Sequence, residues 1–487
     1  MEFSDLREFI DICKEIGEER TVENADWDLE IGAITELTAE IRGPLLLFDK
    51  IKGYPPGFRV CSNMYSNLKR TAIALNLPQG LNYIETLTAW RNKMRHLKPI
   101  PSVEVDDAPI KENVITGDDI DIYKFPAPRW HDGDGGRYIG TGHAVITRDP
   151  DEGWVNMGTY RVMVQSKNSV SVVPIHGQHG RFMMDKYHAR GQNCPVAICF
   201  GPEPALFLTS TYRVPWGMGE YEFAGGIKGS PIEVTKGMFT DLPLPARGEI
   251  VIEGEIPPLN VASCAEGPFG EWPGYLTATF DEERPLAPLI KVKSVFYRND
   301  PIISSAAPLK PPTPCYFDLP LLTAGSIWDQ LEAAGFVGIK GVWSMVTMGA
   351  LLTVVCIKQM YQGHAKEVGI AASVMPGGVN QGNFTIVVDD DIDITNIEDV
   401  LWALATRCNV ENIEIIRGIH AGMTHPLGKP QLKKGKFPVT SRAIIDACKP
   451  YDWIDEFPKV NIFDPEYRSQ IADKWDIPNP KARRAPA

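Results

Sequence analysis

Two carboxylates lie five positions apart in a segment that suits neither a helix nor a strand interior. Ala265-Glu266-Gly267-Pro268-Phe269-Gly270-Glu271-Trp272-Pro273-Gly274-Tyr275 mixes acids with glycine, proline and aromatic rings, so it reads as a turn. Beside apolar rings a carboxyl group resists ionisation, which fits it to give or take a proton near neutral pH. On spacing alone, a solvated turn is still the first reading.

Upstream, Gly153-Trp154-Val155-Asn156-Met157-Gly158-Thr159-Tyr160-Arg161 ends an uncharged run on an arginine, whose planar fork matches a carboxylate or a phosphate. Gln178-His179 and Gly219-Glu220 add an imidazole and a carboxylate. Asn156, His179 and Glu220 form a donor set for Mn²⁺ or Mg²⁺, but separations of 23 and 41 residues fit no metal-binding motif. Read by themselves, these residues make a metal site the minority interpretation.

Such groups need elements to hold them. Ser4 is placed to cap a helix that carries Leu6, Phe9, Ile10, Cys13 and Ile16 at helical spacing. Ile31, Ile34, Leu37 and Ile41 predict a second helix buried along that stripe, stopped by Gly43-Pro44 and followed by a buried strand at Leu45-Leu46-Leu47-Phe48. From about residue 112 to 310 short β-prone runs such as Ala144–Thr147, Ser171–Val173, Ala197–Phe200 and Glu249–Ile252 alternate with glycine and proline. They predict an antiparallel sheet or barrel with helical insertions. Pro308-Leu309-Lys310-Pro311-Pro312-Thr313-Pro314 reads as a connector. The last third alternates strands (Leu351–Ile357, Phe384–Val388) with helices (His364–Ala372, Asn396–Cys408, Ser441–Cys448), which predicts a mainly parallel sheet. The acidic run Asp389–Asp393 reads as loop and helix-cap chemistry, and the tail from Pro478 is expected to be mobile.

Composition sets the outer bounds. A chain of 487 residues implies about three domains, and 44% hydrophobic with 23% charged residues is ordinary globular usage. The net charge of −13 argues against nucleic-acid or anionic-membrane partners. Met1–Asp5 lacks the basic and apolar regions of a secretory signal, and no apolar run is long enough to span a bilayer; a cytoplasmic location is expected. The nine cysteines are scattered without a CxxC pair, so they read as buried apolar residues in a reducing compartment.

Taken in order, Phe125-Pro126, Trp130-His131-Asp132-Gly133-Asp134-Gly135-Gly136, Asn156 to Arg161, Gln178-His179, Gly219 to Gly225, Glu266 to Glu271 and Val388 to Asp393 resemble the UbiD family of decarboxylases across nearly the whole chain. The resemblance implies an α/β protein, α+β overall. Its expected parts are an N-terminal α/β domain over 1–111, a split-β-barrel-like domain binding prenylated FMN over 112–315, and a C-terminal α/β domain with a final helix and tail over 316–487. It implies reversible non-oxidative decarboxylation of an aromatic, heteroaromatic or α,β-unsaturated acid through a covalent flavin adduct. The acid–base residues would be Arg161, Glu266 and Glu271, with Glu271 as proton donor.

The same resemblance assigns Asn156, His179 and Glu220 to a Mn²⁺ (or Mg²⁺) ion on the flavin phosphate, with Tyr160, Arg161 and Gln178 also beside the cofactor. Glu220, Arg407 and Asp446 fall near the positions of a K⁺ ion, Asp446 reading equally well as a polar member of the helix expected at Ser441–Cys448. Ile175, Trp272 and the His420–His425 loop, His425 in particular, are candidate substrate-pocket residues. A flavin prenyltransferase is the implied cofactor supplier, and a homodimer or homohexamer the implied assembly, with loops of an α/β domain closing over the flavin. The sequence departs from the family pattern where Gln381-Gly382-Asn383-Phe384-Thr385 lacks a lysine before the acidic run, at Met157, and at Trp272. A non-catalytic partner subunit, or a flavin- or metal-dependent enzyme of another class, are the competing readings; the chain has no GxSxG or HExxH hydrolase motif.

Overall fold

Helix α1 (Leu6–Glu15) buries Leu6, Phe9, Ile10 and Cys13, as their spacing requires. The computed structural model in which it is seen describes residues 3–174, 177–212, 214–276, 284–313, 318–345, 351–375, 383–422 and 425–478. The cap of α1 is Asp5 rather than Ser4: the Asp5 carboxylate accepts from the Glu8 N–H at 2.9 Å, while the Ser4 N–H donates to the Glu8 carboxylate. Helix α2 (Glu30–Glu40) departs further from the expected stripe. It buries Ile31, Gly32, Thr35 and Ala39, and leaves Leu37 and Ile41 65% and 77% exposed. The cause is a close backbone approach. A Cβ on Gly32 would lie 1.7 Å from the Trp130 carbonyl oxygen, so α2 docks through its small residues and turns the larger ones outward.

Strands β1 (Glu19–Glu23), β2 (Leu45–Asp49) and β3 (Arg59–Ser62) lie side by side, and the sheet is completed on β3 by Ile302–Ser304, from far along the chain. The middle of the chain builds a ten-stranded sheet. Its main strands are β4 (Tyr138–Gly140), β5 (His143–Arg148), β6 (Val155–Gly158), β7 (Val162–Ser166), β8 (Ser169–Val172), β9 (Cys194–Phe200), β10 (Ile250–Ile256) and β11 (Leu286–Tyr297). They run in the order β4-β7-β8-β11-β10-β9-β5-β6, with antiparallel neighbours throughout. The end strands β4 and β6 do not pair among the described residues, so the sheet curls without closing. Three helices are inserted: α3 (His179–Ala189), α4 (Pro204–Thr211) and α5 (Glu220–Lys228).

The last sheet runs β12 (Ile339–Ser344), β13 (Leu352–Ile357), β14 (Phe384–Asp389), β16 (Val439–Asp446), β15 (Glu414–His420). It is mixed rather than mainly parallel: β13–β14 and β14–β16 are parallel, whereas β12–β13 and β15–β16 at the edges are antiparallel. The helix expected at Ser441–Cys448 is instead strand β16, because Ala443, Ile444 and Ile445 register against Phe384, Thr385 and Ile386. Helices α6 (His364–Val374) and α7 (Ile397–Arg407) fall where expected, α7 capped by Asn396.

One apolar cluster joins all three regions, uniting Phe9 and Trp90 with Phe207 and Phe223 and with Leu321, Val342 and Val387. A two-pronged contact of Arg7 with buried Glu249, 2.8 Å at each prong, ties the first helix to the central sheet. Cys13, Cys61, Cys194, Cys199, Cys356 and Cys448 are buried free thiols. Cys315, Pro314 and the tail at 479–487 lie outside the described residues. No helix among the described residues is long and apolar enough to cross a membrane.

Candidate active site

Two groups of polar residues hang from one short connection. Strand β6 carries Asn156, the turn Thr159-Tyr160 follows, and Arg161 stands immediately before β7. On one side of this connection the Arg161 guanidinium grips two carboxylates that lie 105 and 110 residues away in sequence. Its Nε and Nη2 donate to the two oxygens of Glu266 at 2.8 and 2.6 Å, and its Nη1 donates to Glu271.

The two acids have unequal surroundings. Glu266 has a side chain only 1% exposed, and it accepts a third hydrogen bond from the Tyr138 hydroxyl at 2.9 Å. Tyr138 in turn stacks on Phe269, ring centroids 3.9 Å apart. Burial, then the Glu266 charge, raises the Tyr138 hydroxyl well above its ordinary range, so it stays a donor. Among the described residues Glu271 has one side-chain partner, Arg161, and its side chain is 14% exposed. Burial pushes its carboxyl above the usual range; Arg161 opposes this and the Glu266 charge adds to it. Burial works against the Arg161 charge, but Glu266 and Glu271 outweigh it and raise the guanidinium further.

The turn between the acids is built by close approaches. A Cβ on Gly135 would lie 1.8 Å from the Gly267 carbonyl oxygen, and the Gly135 N–H donates to Pro268 at 2.8 Å; this is the role of glycine in the Trp130–Gly136 segment. Glu271 belongs to a two-stranded hairpin, Gly270–Glu271 against Tyr275–Leu276, whose Gly274 has φ of +87°. A Cβ on Gly270 would meet the Pro308 carbonyl oxygen at 2.9 Å, and one on Gly274 the Lys310 Cα at 2.8 Å. The proline-rich stretch is therefore a buttress for the hairpin as well as a connector. Trp272, half-buried, packs into the cluster shared by all three regions.

On the other side of the connection lie Asn156, Tyr160, His179 and Glu220. The Tyr160 hydroxyl is seated against Gly158 and Gly180, where a Cβ would come within 2.3 and 2.6 Å of it. Burial, with the Glu220 charge adding, raises that hydroxyl to about 12, while the Asn156 side chain and the Gly180 N–H beside it pull it down. The His179 ring opens α3 and meets Trp154 and Trp216 edge-on, at 5.6 and 5.1 Å. Glu220 opens α5, is 3% exposed, and accepts the Met157 N–H at 2.7 Å. Burial raises its carboxyl to about 8, and among the described residues no cation offsets that. Asn156 Nδ2 is buried without a hydrogen bond of normal geometry. An amide, an imidazole and a buried carboxylate lacking a counter-charge are a donor set that fits a divalent ion. The described residues contain no group of three His, Cys, Asp or Glu placed to hold one; the third donor here is the Asn156 amide.

Other sequence candidates fall elsewhere. Arg407 is committed to Asp391 (2.8 Å at both nitrogens) and Asp389 (3.2 Å), and Asp446 accepts the Cys448 N–H at 3.0 Å. Among the described residues no hydrogen bond or ion pair joins either of them to Glu220. His425 caps a short turn, accepting the Leu427 N–H at 3.2 Å, and its Nε2 lies 2.8 Å from Asn383 Nδ2. Both ring nitrogens are thus used within the last third of the chain. Met157 packs in the apolar cluster behind β6. Ile175, Gln381 and Gly382 lie outside the described residues, and Gln178 is the residue immediately before α3. Tyr138 and the seat that Gly180 gives the Tyr160 ring carry no signal in the sequence, where a tyrosine in a strand reads only as core.

Comparison with known proteins bears on this geometry. The chain matches the 3-octaprenyl-4-hydroxybenzoate carboxy-lyase N-terminal domain over residues 10–90, its Rift-related domain over 102–311 and its C-terminal domain over 320–447. It is 32% identical over 458 residues to a phenolic acid decarboxylase of Bacillus subtilis (strain 168), covering 92% of this chain and 93% of that one. It is 30% identical over 421 residues to a pyrrole-2-carboxylic acid decarboxylase of Pseudomonas aeruginosa, covering 83% of each. The UbiD-class enzyme HmfF from Pelotomaculum thermopropionicum, solved in complex with FMN, superposes with a TM-score of 0.82 at 26% identity, covering 94% of this chain and 97% of that one. An evolved dimeric form of HmfF in complex with prFMN gives 0.79 at the same identity and coverage. With three successive domain matches and relatives aligned over most of their length, the chain belongs to the UbiD family of carboxy-lyases.

Proposed function

We propose that this chain catalyses the reversible, non-oxidative decarboxylation of an aromatic, heteroaromatic or α,β-unsaturated carboxylic acid with prenylated FMN as cofactor, Glu271 delivering the proton. The observation that carries this reading is the unequal treatment of two carboxylates by one arginine. Glu266 is sealed and bound by three donors, which suits an anion that holds Arg161 in place. Glu271 has one donor among the described residues, contact with solvent and a raised pKa, which suits an acid that is spent and refilled. Two acids with such unlike surroundings suit different roles in one reaction.

Loss of CO₂ leaves the C–C bonding pair on carbon, and the Glu271 O–H supplies the proton that becomes the new C–H bond. Glu271 is then a carboxylate beside Arg161, and its exposed edge admits the solvent proton that restores it. Prenylated FMN, when bound, supplies the electron sink that a vinylic or aromatic carbon lacks. Asn156, His179 and Glu220 would hold Mn²⁺ (or Mg²⁺) against the flavin phosphate, with Tyr160 and Gln178 beside it; the uncompensated Glu220 carboxyl supports this. The cofactor is assigned to the domain over 112–315 and its supply to a separate flavin prenyltransferase. We place the enzyme in the cytoplasm, where its buried thiols stay reduced, as a homo-oligomer.

Protein made with and without a flavin prenyltransferase, offered cinnamic, hydroxybenzoic and heteroaromatic acids, tests the reading by CO₂ release. Release is expected only from protein carrying prenylated FMN. Full activity with ordinary FMN alone, or no release from any acid at confirmed prenylated-FMN occupancy, would overturn it.

A further inference from the structure

We infer that His143 is a positioning residue for the reaction: its ring holds the Tyr160–Arg161 peptide and so fixes the acid–base group relative to the cofactor-side residues. The inference rests on the role proposed for Arg161. His143 opens β5, is fully buried, and its Nε2 lies 2.8 Å from the Tyr160 carbonyl oxygen. A carbonyl only accepts, so Nε2 carries the hydrogen and donates it. The carbonyl of His143 itself accepts from Thr159 Oγ1 at 3.0 Å, and Thr159 Oγ1 also lies 2.7 Å from Ser210 Oγ on α4. Residue 143 thus grips the connection at two consecutive residues, directly before Arg161.

The ring has little freedom to move. It stacks on Phe200 of the neighbouring strand, centroids 5.8 Å apart, and a Cβ on Gly140 would lie 3.0 Å from its Cε1. Burial lowers its pKa to about 4, so it is neutral. Its Nδ1 is buried without a hydrogen bond, a cost to the fold that an apolar residue there would not incur, as at Ala144, Val145 and Ile146 beside it. What the imidazole adds is the donor for Tyr160. A small displacement of that peptide moves Arg161, and with it both carboxylates, and misplacement on the order of 1 Å slows enzymes about a hundredfold.

The test compares His143→Phe, which keeps the stacked ring and loses the donor, with His143→Gln, whose Nε2 is as many bonds from Cα as that of histidine. Both are made as holoenzyme, with melting temperature and flavin occupancy measured. His143→Phe is expected to keep flavin and KM within about twofold while kcat falls at least tenfold; His143→Gln is expected to recover kcat to within about threefold of the wild type. Unchanged kcat in His143→Phe, or equal loss in both variants, would overturn the inference. In wild-type protein labelled with ¹⁵N-histidine, assigned by its absence in His143→Gln, one ring should show a single slowly exchanging Nε2–H from pH 6 to 8. Tautomer averaging at that ring would overturn the inference even if the phenylalanine variant failed to fold. Absence of decarboxylation in the wild type itself would count against the proposed function and leave the ¹⁵N result to decide the clamp.

Discussion

Replacing Arg161 by methionine keeps most of the side-chain volume and removes the charge. Glu266 then loses the donors at 2.8 and 2.6 Å and, among the described residues, retains the Tyr138 hydroxyl at 2.9 Å. Its side chain is 1% exposed, so the carboxylate must stay charged without a counter-ion or take up a proton on folding. Breaking a buried pair from one side in this way costs about 3–5 kcal/mol, a fifth or more of the roughly 5–15 kcal/mol that holds a typical fold. The double variant Arg161→Met/Glu266→Leu removes both charges, and its stability should return to within about 1 kcal/mol of the wild type, because paired buried charges can be exchanged for apolar groups at little net cost. The coupling between the two positions should therefore exceed about 2 kcal/mol. Urea unfolding of the wild type, both single variants and the double variant measures it, while CO₂ release should stay absent in the double variant. A single-variant loss under about 1 kcal/mol would show that solvent or relaxation already compensates Glu266, and decarboxylation by the stable double variant would remove Arg161 from the chemistry.

Glu271→Gln should keep flavin and lose at least about a hundredfold in turnover, read by CO₂ release and by slow deuterium exchange into authentic product in D₂O; near-wild-type exchange would move the proton to another donor. Its pH signature follows from the raised pKa of Glu271. Stability from the neutral acid is fully present below the unfolded-state value and is lost as pH rises through the folded one, so the melting temperature of Glu271→Gln should gain on the wild type as pH climbs from the unfolded-state value through the folded one and level off above it, and parallel curves would contradict this. His179→Ala should lose divalent ion and flavin together with the fold retained, by metal analysis and flavin absorbance; full flavin without metal would separate the two.

Some of this was readable in the chain and some was not, for identifiable reasons. Leu45–Phe48 and Leu351–Ile357 announced strands because a continuous apolar run has few other uses. The stripe on α2 misled because the contact is made by Gly32, and a missing side chain leaves no trace in hydropathy. Residues 441–448 are short and part apolar, where helix and strand periods are not separable; only the partner Phe384–Ile386 decides for a strand. Arg161, Glu266 and Glu271 carry chemical suspicion singly, but their meeting depends on the path of the central sheet over more than a hundred residues. The pairing of Arg407 with Asp391 in the acidic run after β14 is of the same kind, a contact that spacing along the chain does not announce. Tyr138 and His143 gave no signal at all, since a buried polar residue in a strand is spelled like any other.

The first sheet of this protein is finished by its Ile302–Ser304 strand, hydrogen-bonded along β3. On a ribosome adding about 5–20 residues per second, β3 must wait on the order of tens of seconds after its own synthesis for that neighbour to emerge. Through that interval its edge offers unpaired N–H and C=O groups to any passing strand. The amino-terminal third therefore cannot mature as a finished unit while the rest is being made, and a truncation ending before residue 302 should be caught by chaperones or aggregate rather than yield an isolated domain.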